Sequence, residues 1–158
     1  MKRQFQIAIT FITTFTLISC FDSSTENNLD SDHFSTKTER VAVLKKEIKP
    51  YSEFHDAAFE LFNVNGFSNS RSGLPGASSL DYKFAVKIQA SDIDKWTQGF
   101  LPFEPQNIDT VWTHVIIEKQ KDQWTTQGKP ECYKRPNEDV IVIVYRDEGI
   151  LFKRVRGD

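Results

Sequence analysis

The sequence predicts an α+β fold: an antiparallel sheet of about four or five strands with one or two helices packed on one face. Three observations carry this. Val140-Ile141-Val142-Ile143-Val144-Tyr145 is apolar without alternation, as an interior strand covered on both faces requires. Asp147-Glu148-Gly149 then offers a short hairpin with glycine at a positive-φ position, and Ile150 to Val155 returns beside it. Tyr82, Phe84, Val86 and Ile88 alternate with Lys83, Lys87 and Gln89, the pattern of a strand with one packed and one wet face. Phe54, Ala57, Ala58, Leu61, Phe62 and Val64 recur at helical spacing, with Ser52 as N-cap and Gly66 as a left-handed stop.

The other elements follow in chain order. Arg40 to Lys49 carries Val41, Val43, Leu44 and Ile48 and reads as a short helix, with a strand lead-in as its other reading, closed by Pro50. Gly66 to Ser79 is loop by composition, and its Arg71-Ser72-Gly73-Leu74-Pro75-Gly76 lacks the spacing and lysine of a phosphate-binding loop. Ser91 and Asp94 form a capping pair for a short helix with Ile93, Trp96 and Phe100. Val111 to Ile117, dense in β-branched residues, is expected to be a strand, and Glu131 to Arg135 another before Pro136. Trp96, Trp112 and many of the 13 phenylalanines supply the core.

The start of the chain carries a different kind of information. Lys2 and Arg3 precede an uncharged stretch from Phe5 to Ile18, the anatomy of a secretory signal. A membrane-spanning helix needs about 20 predominantly apolar residues, and this stretch is shorter and diluted by threonine. Leu17-Ile18-Ser19-Cys20 resembles the lipobox of bacterial lipoproteins. The resemblance implies cleavage between Ser19 and Cys20, a diacylglyceryl group on the Cys20 thiol, and often acylation of the new amine. Two or more chains hold firmly where one holds marginally, since each buried methylene contributes about 0.8 kcal/mol. In that family an aspartate after the cysteine marks inner-membrane retention; Phe21 stands there instead, which implies delivery to the outer membrane of a two-membrane bacterium.

Residues 1–19 are thus expected to be signal peptide, and residues 20–38 a lipidated N-terminus and flexible tether. Residues 39–158 are expected to form one domain. Asp22 to Thr38 is almost devoid of apolar groups and cannot offset the entropy of ordering, so removing part of Ser23 to Asp32 should leave the melting temperature almost unchanged.

Loss of Lys2 and Arg3 takes the formal net charge from −2 to −4, which gives no support to nucleic-acid binding. Lys153, Arg154 and Arg156 read as the solvated face of a terminal strand.

Candidate chemistry is sparse. Besides Cys20 the chain has only Cys132, so no intramolecular disulfide or cysteine zinc site is expected, and the thiol is expected to be buried and inert. His33, His55 and His114 show no ligand-pair spacing, and no metal, cofactor or catalytic set is predicted. The loop around Arg71 to Gly76, followed by Asp81-Tyr82-Lys83-Phe84-Ala85-Val86 and Asp92-Ile93-Asp94-Lys95-Trp96, resembles small uncharacterised bacterial envelope proteins, a likeness that brings no activity with it.

Two functional classes stay open. One is an anchored module that binds an envelope protein, in an immunity, inhibitor or assembly role. The other is a small periplasmic hydrolase with an acidic site. The first is preferred because no cluster of His, Cys, Asp or Ser stands at a strand-to-loop junction. Trp124, the lone large apolar group of Gln120 to Gly128, is the candidate partner contact, with a lid over the core as its other reading.

Overall fold

A computed structural model describes residues 27–67, 79–105, 110–120 and 123–157. In chain order the elements are β1 (Asn28–Asp30), α1 (Lys37–Glu47), β2 (Phe54–Asn63), β3 (Leu80–Ile88), α2 (Ile93–Thr97), β4 (Leu101–Pro102), α3 (Val111–Glu118), β5 (Glu131–Lys134), β6 (Asp139–Tyr145) and β7 (Ile150–Gly157). The described strands form one antiparallel sheet of seven, in the order β1-β2-β3-β7-β6-β5-β4. The α+β class stands; the expected four or five strands and one or two helices understate it. Among the described residues no helix is long and apolar enough to cross a membrane.

Helices cover both faces rather than one. On the first, Leu44 of α1 and Ile93 and Trp96 of α2 pack on Phe59 and Leu61 of β2, Phe84 and Val86 of β3, Val142 of β6 and Leu151 of β7. On the second, Trp112 and Ile116 of α3, with Trp124, pack on Ala58, Ala85, Cys132, Ile143 and Phe152. Burying an aromatic such as Phe59 stabilises by about 1.5–3 kcal/mol, so these two layers supply most of the driving force.

Double coverage explains one error of sequence reading. Phe54 to Val64, expected to be a helix, is β2 up to Asn63. A register shift between Phe54 and Asp56 puts Phe54, Ala57, Phe59 and Leu61 on the first face, while Ala58 packs on the second. Apolar groups on both sides of a bulged strand mimic helical spacing. Gly66, at φ 72°, ends the turn after β2 and not a helix.

The converse error occurs at α3. Val111 to Ile117 was expected to be a strand. It coils because Trp112, Thr113 and Ile116 form a buried stripe, while Val111 (67% exposed) and Val115 (47%) occupy the outer side where polar residues would ordinarily reveal the period.

The remaining expectations fare better. Arg40 to Glu47 falls on α1, which starts earlier behind a capping box between Thr36 and Glu39 and ends before Ile48. The β3, β5, β6 and β7 segments are strands as expected, although β3 buries Ala85 as well as Phe84 and Val86. Gly149 has φ 62°, and a Cβ there would sit 2.5 Å from the Ile88 carbonyl oxygen. The short helix around Trp96 forms, but a 3-10 turn from Ala90 to Asp92 precedes it and neither start has a side-chain cap, so the Ser91–Asp94 pair is absent. Most of the Gly66–Ser79 loop lies outside the described residues.

The stretch read as tether is corrected from Asn28 onward. β1 pairs with Glu60, Leu61 and Phe62, and the Asn27 carbonyl accepts from the Asn63 amide at 2.9 Å. Beyond β1 the edge of β2 is closed by side chains. Ser31 Oγ accepts from the Phe59 amide at 3.1 Å, and Arg40 Nε donates to the Ala57 carbonyl at 2.9 Å. Short polar residues order here because they satisfy strand backbone, while Leu29 and Phe34 pack against the first-face core.

Candidate functional site

Of the predicted site residues, the structure places Trp124. Ser19 and Cys20 lie outside the described residues. Trp124 is 4% exposed and packs under α3, so it is a lid over the core rather than a contact for a partner. Its indole Nε1 donates to Asp56 Oδ2 at 3.2 Å. The other oxygen of this buried carboxylate accepts from Arg40 Nη2 at 2.7 Å and from the Ala57 amide at 2.8 Å. Charge and donors are matched, as a buried ion pair requires.

Cys132 is buried on β5, and burial, followed by the nearby Glu104 charge, raises its thiol above the ordinary range. A thiol so placed is a poor nucleophile. It borders a cleft of about 620 Å³ that Pro102, Phe103, Pro105, Pro130 and Tyr133 also line. His33, His55 and His114 are exposed, and among the described residues no three His, Cys, Asp or Glu side chains are placed to hold a metal ion. The acids of the β1 edge are answered by a cation: Lys119 Nζ lies 3.0 Å from Asp30, 3.0 Å from Asp32 and 3.3 Å from Glu60.

On the first face of the sheet, a buried cation stands apart from the acids around it. Lys153 of β7 is only 8% exposed, and among the described residues no carboxylate lies within salt-bridge distance of it. Its ammonium stands 5.1 Å from the ring centre of Tyr51 and 5.6 Å from that of Phe100. Arg135, just after β5, places its guanidinium 4.6 Å from the same Phe100 ring and makes a long 3.5 Å contact from Nη2 to Tyr51 Oη. Glu138 is held by Arg135 at 3.1 Å and reaches Lys153 only from a distance.

Electrostatics follow from this geometry. Burial pushes the Lys153 ammonium below its ordinary range, and the two ring faces return part of what desolvation removes. The Arg135 contact, aided by the Lys153 charge, lowers the Tyr51 phenol. Tyr51 rests edge-on against Trp96, at 5.4 Å between ring centres, and is 41% exposed. The result is two cations under a half-exposed phenol, a setting able to receive a carboxylate or another anion.

Sequence reading missed this cluster by assigning Lys153, Arg154 and Arg156 to a solvated face. Arg154 pairs with Asp81 at 2.8 Å and Arg156 with Asp139 at 2.8 Å, but Lys153 points inward. The signal was present: Leu151, Lys153 and Val155 share one parity of β7, and a lysine at an apolar-parity position is out of place. No protein-family model, curated protein or solved structure matches this chain.

Proposed function

We propose that this protein is a lipid-anchored lipoprotein of the bacterial cell envelope, held at the outer membrane through Cys20, whose folded domain binds an envelope protein. Support for the anchor is the leader, with Lys2, Arg3, the uncharged run to Ile18 and Leu17-Ile18-Ser19-Cys20. Support for binding is a single observation: Lys153 is buried beneath the exposed Tyr51 with no carboxylate among the described residues within salt-bridge distance. A buried unpaired cation works against stability, and such groups concentrate at sites that complete themselves with a ligand. Tyrosine and arginine are also the side chains that dominate binding energy at protein interfaces. The partner presents a carboxylate to Tyr51, Arg135 and Lys153.

Both halves are open to test. Cys20→Ser should abolish incorporation of radiolabelled fatty acid, and normal labelling of that variant would end the lipoprotein reading. Affinity capture from solubilised envelopes should recover a protein with the native domain and lose it with Lys153→Met. Equal recovery by the two would remove the cluster as the binding surface.

A further inference from the structure

We propose that the corner of the domain formed by β1 and the end of β2 lies against the lipid surface, with Phe62 and Val64 in the headgroup region. This rests on acylation of Cys20, and it follows from how few residues separate Cys20 from β1. Asn27 is fixed to Asn63 through its carbonyl, and Asn28 is in register with Phe62. Only seven peptide steps separate Asn27 from Cys20, which span at most about 25 Å when extended and about 15 Å when flexible. The corner is therefore held within a short distance of the bilayer. The Phe54 end of β2 stands about 30 Å further along the strand at about 3.3 Å per residue.

The composition of this corner suits an interface. Phe62 is 37% exposed and Val64 42%, two residues apart and beside the point where the anchor enters. The acids nearby stand beside cations: Asp30, Asp32 and Glu60 share Lys119 at 3.0, 3.0 and 3.3 Å, Lys83 lies 3.6 Å from Glu60, and Asp81 meets Arg154 at 2.8 Å. An anionic leaflet repels bare carboxylates, and the paired cations weaken that repulsion here. Asn63 and Asn65 complete the rim with neutral polar groups. An aromatic ring with polar neighbours partitions into the headgroup region rather than the hydrocarbon core.

The test uses the full, acylated chain in vesicles of phosphatidylethanolamine and phosphatidylglycerol. An environment-sensitive fluorophore is placed on Val64→Cys or, at the far end of the sheet, on Asp147→Cys in the turn after β6. Both positions are exposed, and each variant also carries Cys132→Ala so that the label has one site. Quenching by nitroxide-bearing lipid should be at least about threefold stronger at position 64 than at 147. Equal or absent quenching, with the diacylglyceryl group on Cys20 verified by mass spectrometry, would overturn the orientation and leave the anchor standing. An unmodified Cys20 would overturn both. A label at 64 equally shielded without vesicles would assign the corner to a second copy of the chain instead, and would equally end the proposal.

Discussion

At the scale of single residues, two buried charges behave in opposite ways. Asp56 is fully answered by Arg40, the Ala57 amide and Trp124. Trp124→Ala removes a buried aromatic and one donor to that carboxylate, so it should cost about 3–5 kcal/mol by chemical denaturation. A loss under about 1 kcal/mol would mean the indole is not the lid described here. Lys153, by contrast, should be replaceable at a gain. Its ammonium is held below its usual range by burial, so the unfolded chain binds more protons in the interval between the folded pKa and 10.5. Stability therefore rises with pH across that interval. Lys153→Met should raise the melting temperature at pH 7 and flatten the alkaline limb. A lower melting temperature with an unchanged limb would show that the ring contacts outweigh desolvation.

At the scale of elements, the edge of β2 decides how much of the N-terminal stretch belongs to the domain. Deleting Asn28 to Asp32 strips three residues of strand pairing, the Ser31 acceptor for Phe59 and the two aspartates on Lys119. At about 1 kcal/mol per lost hydrogen bond the melting temperature should fall by about 10 °C. An unchanged melting temperature would restore the tether reading. This edge was illegible because its order comes mainly from backbone pairing, one hydroxyl and ion pairs to Lys119, and its two core contacts, Leu29 and Phe34, are too far apart to make an apolar pattern. Tyr82 to Ile88 and the β6–β7 hairpin were legible because alternation, a long β-branched run and Gly149 each point to one structure. Phe54 to Asn63 and Val111 to Glu118 exchanged their types for a shared reason: each has apolar groups where a polar face would have disclosed the period. The Lys153 cluster gathers residues from four separate segments, and only the parity of Lys153 hinted at it.

At the scale of the whole molecule, the two edges of the sheet are closed by different means, and the far one depends on charge. β4 pairs over only Leu101 and Pro102 and β5 over four residues, so little backbone pairing holds this side. Arg146, in the turn after β6, binds Glu131 of β5 at 2.8 Å and Asp94 of α2 at 3.1 Å, and Tyr133 Oη donates to Glu131 at 2.7 Å. The Arg146 hydrogen bonds, then that of Tyr133, lower the Glu131 carboxyl from 4.5 to about 2. A carboxylate with a depressed folded pKa contributes stability that is fully present above its unfolded value and lost as pH falls from 4.5 towards 2. The full linkage value of such a shift is about 3 kcal/mol. Glu131 has 37% of its side chain exposed, and solvent screening reduces the contribution to about 1 kcal/mol. Glu131→Gln should therefore lower stability at pH 7 by about that amount and make the acid limb between pH 4.5 and 2 shallower, as read by urea midpoints across the range. An acid limb identical to that of the native protein would show that β5 is held by packing of Cys132 and its neighbours alone, and that the ion pairs around Arg146 add no stability to this edge.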